Sequence, residues 1–324
     1  MENILGQIYN KEIKSETKTL EKFYESVKRR AKNIVTASGR QTLIIELYDR
    51  FFREAFPLMT QKLGIVYTPV EIVDFIINSV EKVMQNEFNS SLKNQGVNIL
   101  DPFTGTGTFI SRLINSNIFN NEQIKRKFES EIHANEIVLL AYYIACINIE
   151  AVYADLIKEE NYKPFKGMVL TDTFNLYEQD KDMIANLLPD NSQKRTIQKN
   201  KNINVIIGNP PYSIGQKSGN DNAANIKYPN LDNKIWEDYA KDSRATRQVA
   251  LYDSYIRAFK WASERISNQG IIGFISGNGW IDKSFANQMR RSIFNEFSEI
   301  YIINLRGDIR KSMLLKGNND EGEN

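Results

Sequence analysis

The sequence predicts an α/β fold, a mostly parallel sheet with helices on both faces, preceded by a helical appendage. Three observations predict it. Short apolar runs recur along the chain, each followed by helical periodicity. Two of those runs end in turn chemistry, at Asp101-Pro102 and at Asn209-Pro210. Residues 1–60 carry helical spacing and no strand signal.

The appendage is read from Leu20, Phe23, Val27, Ala31 and Ile34, with charges between them, and from Leu43, Ile44, Leu47, Phe51, Phe52 and Ala55, stopping at Pro57. Val97–Leu100 is the first expected strand. Gly105 and Gly107 then turn the chain into a helix that carries Phe109, Ile110 and Leu113. Glu131–Asn135 is a weaker strand, followed by a long apolar helix from Ile137 to Ile149. Met168–Thr171 and Ile203–Ile207 are the next strands. An amphipathic helix over 252–266 separates them from Ile271–Ser276 and Ile300–Leu305, giving six expected strands. Residues 178–202 read as a polar loop with a short helix. Residues 213–247, rich in Asn, Asp, Lys and Ser, show no sustained period, and a connection this long is usually functional or mobile. The tail after Leu305 is charged and glycine-bearing without apolar alternation. The chain is therefore expected to stop short of its sheet's last strand, leaving an edge unpaired.

Composition narrows the function classes. Hydrophobic residues make up 41% and charged residues 25% of 324, an ordinary globular balance. A net charge of +2 means that any nucleic-acid contact comes from local clusters. The one cysteine, Cys146, allows no internal disulfide and suits a reducing cytoplasm, the expected compartment. The N-terminus has no signal-peptide core, and no apolar stretch approaches membrane-spanning length, so no membrane partner is expected. There is no Gly-Lys-Ser or Gly-Lys-Thr phosphate loop, which excludes an ATP motor of that class.

Two motifs carry chemistry. In Asp101-Pro102-Phe103-Thr104-Gly105-Thr106-Gly107 a carboxylate ends a strand, and glycines let the backbone turn beneath a ligand. Taken alone, this is equally a plain strand-to-helix turn. In Asn209-Pro210-Pro211-Tyr212, two prolines stiffen the turn and remove donors. Carbonyl oxygens, one carboxamide and an aromatic ring remain. That set suits a planar group bearing an amine: its two hydrogens need two acceptors, the Asn209 oxygen and the Pro210 carbonyl, and Tyr212 offers a stacking face. The bland alternative is a rigid loop without a role.

Together these motifs resemble the amino-methyltransferases that act on adenine N6. Gly64-Ile65-Val66-Tyr67-Thr68-Pro69 resembles that family's cofactor element, Glu136 the acidic residue that holds the cofactor ribose, and Asp172 the residue that holds the cofactor's adenine amine. With this element before the catalytic loop, the order resembles the gamma class. A closer resemblance is to the methyltransferase region of type ISP restriction-modification enzymes. Lys62–Pro69, Asn209–Gln216, Leu251-Tyr252-Asp253-Ser254-Tyr255-Ile256-Arg257-Ala258 and Leu305-Arg306-Gly307-Asp308 carry it. The family's last block usually reads Leu-Arg-Gly-Asn, so Asp308 departs from it.

The resemblance implies a Rossmann-like class I methyltransferase sheet over 61–324 and a helical coupler over 1–60. It implies S-adenosylmethionine as cofactor, held by Tyr67, Thr68, Pro69, Asp101, Pro102, Phe103, Gly105, Gly107, Glu136, Asp172, Thr173 and Phe174. Asn209, Pro210, Pro211 and Tyr212 would be catalytic, acting on an adenine flipped out of double-stranded DNA. Nuclease, ATPase and target-recognition domains are the expected companions in the whole polypeptide, and no metal site is expected. Phe174 has a second reading as core, and Tyr252, Asp253 and Tyr255 as packing. His133 reads as a packed histidine, and Arg290, Arg291, Arg306, Arg310 and Lys311 as either a phosphate-facing group or a solvated surface. Two alternatives stay open: a methyltransferase acting on RNA or a protein amine, and a cofactor-binding coupling module inactive as isolated.

Overall fold

The structure is a computed structural model, and it describes residues 68–159, 161–178, 188–212, 227–241, 243 and 248–305. The expected appendage, Tyr67 and the tail from Arg306 lie outside the described residues.

Five strands form one sheet: β1 (Asn98–Asp101), β2 (Ile132–Glu136), β3 (Met168–Leu170), β4 (Ile203–Gly208) and β5 (Ile271–Phe274). Their order is β3-β2-β1-β4-β5, and every pairing is parallel. The chain builds outward from β1 through β2 to β3, then returns to the other side of β1 as β4. This reversal creates a switch point between β1 and β4, where a doubly wound sheet opens a crevice beyond its carboxyl ends.

Both faces of the sheet are covered, so the central strands read as continuous apolar runs. Ile99, Val205 and Ile207 face a cluster with Val73, Ile77 and Val80 of α1 (Val70–Phe88), Ile110 and Leu113 of α2 (Thr108–Ile114), and Ala145 and Ile149. After α2 come α3 (Asn121–Arg126) and the long α4 (Leu139–Ile157), which carries those last two residues. Leu100 and Ile206 face the opposite way, as the two-residue strand period requires. They meet Leu231 and Ile235 of α6 (Pro229–Ile235), Ile256 and Trp261 of α7 (Ser254–Arg265), and Met289 and Ile293 of α9 (Asn287–Glu296). The short helices α5 (Pro189–Lys199) and α8 (Gly279–Asp282) complete the described set.

Four expectations change. Ile300–Leu305 joins no ladder among the described residues, and Tyr301 and Ile303 are 65% and 63% exposed. Apolar composition supplies a strand's side chains, but a ladder also needs a neighbouring backbone. Beyond β5 no described strand offers one. The 213–247 segment, read as aperiodic, holds α6 and a π-helical turn over Trp236–Ala240. Leu231, Ile235 and Tyr239 are all buried at four-residue spacing, diluted in the sequence by the polar residues between them.

The apolar helix begins at Leu139 and runs to Ile157, longer than expected. By length and composition α4 could cross a membrane, contrary to the expectation that no stretch would qualify. Its Ala141, Ala145, Ile149 and Tyr153 are buried in the protein, and it packs on α2 and β3.

Candidate functional site

The end of β1 is built around a buried carboxylate. Asp101 has no exposed surface; its Oδ1 accepts from Phe103 N at 3.1 Å, while Oδ2 has no protein partner. Burial pushes this carboxyl up to about 8, with the nearby Glu136 charge adding to the rise. Glu136, at the end of β2, is buried as well. Its Oε2 accepts from Gly105 N and its Oε1 from Val138 N, each at 2.8 Å. These donors favour the charged form, yet desolvation dominates and raises its carboxyl to about 7.

The loop between β1 and α2 is held from several sides. Thr104 N donates to Asn135 O at 3.0 Å, and Asn148 Nδ2 of α4 donates to Thr106 O at 2.9 Å. Thr173 Oγ1 donates to Pro102 O at 2.6 Å and accepts from Asn135 Nδ2 at 3.3 Å. Gly107 has φ 84°, and a Cβ there would lie 3.2 Å from Ala145 Cα. Its glycine is thus required both by the left-handed backbone and by the closeness of α4. Gly105 also has a positive φ, but a Cβ there would meet open space, so the loop leaves room above it.

Beyond β3, Asp172 Oδ1 accepts from Phe174 N at 3.0 Å. Its Oδ2 accepts from Tyr228 Oη at 2.9 Å and from Asn175 Nδ2 at 3.2 Å. Burial raises this carboxyl too, opposed first by the Tyr228 hydrogen bond. Phe174 is buried, its ring centroid 5.5 Å from Phe103 and 5.2 Å from Tyr228. It therefore belongs to the core cluster on that face of the sheet.

Beyond β4 comes Asn209-Pro210-Pro211-Tyr212. Asn209 Nδ2 donates to the buried Thr68 Oγ1 at 2.9 Å, which ties the loop to the start of α1. Pro69 caps that helix, its carbonyl accepting from Ile72 N and Val73 N. The Tyr212 hydroxyl has two acceptors within reach, Asn209 Oδ1 at 2.9 Å and Ile275 O at 3.0 Å, and one proton to share between them. Its ring lies 6.1 Å from that of Tyr255.

The two motifs, a hundred residues apart, are joined through Gly208. A Cβ at this last residue of β4 would fall 2.9 Å from Asp101 Oδ1. The structure thus brings Thr68, Asp101, Glu136, Asp172 and Asn209 to the carboxyl ends of one sheet. Gly208, Asn135, Asn148, Tyr228 and the Ile275 carbonyl were not singled out by sequence reasoning. Only Gly208 carried a usable signal, a glycine closing an otherwise apolar strand.

Two further candidates, His133 and Arg290, make structural contacts, while Arg306, Arg310 and Lys311 lie outside the described residues. His133 is buried, 3.4 Å from Asn98 Oδ1, and its pKa falls to about 4, chiefly from burial. Arg290 Nη1 donates to the carbonyls of Trp280 and Lys283. Among the described residues, no group of three or more His, Cys, Asp or Glu side chains is arranged to hold a metal ion.

Two outcomes are expected. Folded Asp101 and Glu136 keep their protons to about 8 and about 7, whereas an unfolded chain releases them near about 4. Their folded pKa values are raised, so the stability they contribute is fully present below that unfolded value. It is lost as pH rises through the folded values. The melting temperature of the ligand-free chain should fall between pH 5 and pH 8, and Asp101→Asn should flatten that slope; an unchanged slope overturns the assignment. Gly208→Ala should cost about 1–3 kcal/mol in denaturant unfolding, because its Cβ must displace the Asp101 carboxylate.

The chain matches the N-6 DNA Methylase family over residues 40–296. Solved structures similar to it include a nuclease-deletion mutant of the Type ISP restriction-modification enzyme LlaGI with a DNA substrate mimic. That structure is 45% identical with TM-score 0.77, covering 86% of this chain and 23% of the other. The ATP-dependent Type ISP enzyme LlaBIII bound to DNA is also 45% identical with TM-score 0.77, covering 86% and 19%. The DrdV–DNA complex is 34% identical with TM-score 0.81, covering 89% and 28%. The chain therefore spans less than a third of each of these relatives. Curated protein sequences offer no match. The family match runs through the end of α9 and takes in every strand and strand-end loop described above: the chain belongs to the N-6 DNA methylase family.

Proposed function

We propose that this chain transfers a methyl group from S-adenosylmethionine to the N6 amine of adenine in double-stranded DNA, as the methyltransferase of a cytoplasmic restriction-modification polypeptide. The observation that carries the reading is the contact of Gly208 with Asp101, which sets an amine-accepting loop beside a loop suited to a nucleoside cofactor. The residues present fit that cofactor. Asp101 Oδ2 is buried without a partner, and the space beside Gly105 is open.

Thr68, Asp101, Gly105, Glu136 and Asp172 would hold the cofactor, with Tyr67, Pro69, Pro102, Phe103, Gly107, Thr173 and Phe174 shaping its surroundings. Bound there, S-adenosylmethionine supplies a methyl group on a good leaving group. The chain's task is then the nucleophile, whose lone pair is delocalised into the adenine ring. Asn209 Oδ1 and the Pro210 carbonyl accept the two N6 hydrogens, draw the nitrogen toward tetrahedral geometry and localise that pair. Neither is basic enough to take a proton, and the one that N6 loses after methyl transfer passes to water. Alignment of nitrogen, methyl and sulfur contributes the rest, on the order of several kcal/mol.

Asn209 Oδ1 is within reach of the Tyr212 hydroxyl. When that proton turns to Ile275 O, Oδ1 is freed for the target amine, and the Tyr212 ring remains available for stacking. The base must leave the duplex to reach this loop. The related LlaGI and LlaBIII enzymes were solved with DNA or a DNA mimic, and the nuclease and ATP-driven parts indicated by their descriptions are the expected companions of this chain in its whole polypeptide.

The test offers duplex DNA, RNA and protein with labelled S-adenosylmethionine, followed by Asn209→Ala. Label should enter DNA alone, on adenine N6. Asn209→Ala should reduce transfer by roughly a hundredfold or more, while calorimetry finds cofactor affinity within twofold of wild type. Transfer surviving within a few-fold overturns the role of Asn209. Label in RNA or protein assigns another acceptor, and cofactor binding without transfer to any acceptor points to a coupling module.

A further inference from the structure

Asp172 is held by a residue that lies in none of the cofactor motifs. Its Oδ2 accepts from Tyr228 Oη at 2.9 Å, across 56 residues of sequence. Tyr228 comes just before α6, after the catalytic loop in chain order. It is buried, with its ring against Phe174 on one side and the Arg257 guanidinium carbon 5.3 Å from the ring centroid on another.

Arg257 is itself buried and fixed by a two-point ion pair. Its Nε donates to Asp232 Oδ1 at 2.7 Å and its Nη2 to Asp232 Oδ2 at 2.9 Å. Asp232 Oδ2 also accepts from the backbone N of Tyr228 at 3.3 Å. Arg257 belongs to the Leu251–Ala258 block, which methyl transfer as described above does not use.

The chemistry of this arrangement is directional. A carboxylate only accepts hydrogen bonds, so the Tyr228 hydroxyl must donate to Asp172. A rigid aromatic ring with its edge and face both packed fixes where that hydroxyl sits. The backbone N–H of Phe174 holds the other carboxylate oxygen. Asp172 is thereby pinned at both oxygens, one end by its own loop and the other by an element from the far side of the catalytic loop. A carboxylate pinned in this way meets a ligand's amine without first losing side-chain freedom, so the pinning favours binding of that amine.

We infer that Tyr228, braced by Arg257 and Asp232, is a positioning residue that orients Asp172 toward the exocyclic amine of the cofactor's adenine and so sets selectivity for an adenosyl cofactor. The inference rests on the proposed role of Asp172.

Tyr228→Phe removes only the hydroxyl and keeps the packed ring. The full chain and this variant are titrated calorimetrically with S-adenosylhomocysteine and with its analogue bearing hydrogen in place of the adenine 6-amino group. Wild type should bind the amino form more tightly. Tyr228→Phe should weaken S-adenosylhomocysteine about five- to tenfold and change affinity for the analogue less than twofold. Equal losses for both ligands, or no loss for either, overturn the proposal while leaving the role of Asp172 standing. If wild type itself binds the two ligands equally, the Asp172 assignment fails and the proposal fails with it. A thermal melt of Tyr228→Phe within a few degrees of wild type keeps selective loss separate from misfolding.

Discussion

The carboxyl ends of β1 and β4 meet with no room for a side chain between them, and much of the site follows from that constraint. Gly208 closes β4 against the Asp101 carboxylate, where any Cβ would sit 2.9 Å from Oδ1. Because β4 ends there, the Asn209–Tyr212 loop starts beside the Asp101–Gly107 loop. A parallel sheet that reverses its winding between these two strands places both loops over one crevice. The rigidity of the paired prolines then keeps the second loop from relaxing away from the first.

Burial of two carboxylates in that crevice works against folding and has to be offset locally. Glu136 receives backbone donors from Gly105 and Val138, and Asp101 one from Phe103. Asp101 Oδ2 receives none, which leaves a buried polar atom with its hydrogen bonding incomplete. A buried polar group left without a partner costs stability until something satisfies it. The same incompleteness makes the ligand-free chain sensitive to pH through this carboxyl.

Around this centre the loops are braced by residues drawn from distant parts of the chain. Asn148 from α4, Thr173 from beyond β3 and Thr68 from the start of α1 each donate to or accept from a strand-end loop. The Arg257–Asp232 pair and Tyr228 do the same for Asp172. Several of these braces cross from one element to another, so each strand-end loop is fixed by parts of the chain far from it in sequence.

The sequence by itself determined the parallel α/β architecture, because Ile99–Leu100 and Val205–Ile207 are apolar on both faces and each ends in unmistakable turn chemistry. It also offered two loops as candidates for the chemistry, Asp101–Gly107 and Asn209–Tyr212, which follow β1 and β4 in the fold. Ile300–Leu305 shows the limit of that reading: apolar residues suffice to suggest a strand, but a ladder is a property of two backbones. The helix α6 was hidden because its three buried positions sit among polar residues that also suit a loop. Only the tertiary structure decided that Gly208 rests on Asp101, that Thr68 holds Asn209, and that Tyr228 reaches Asp172. These contacts join residues 56 to 141 positions apart, and no local periodicity encodes a separation that arises from the winding of the sheet.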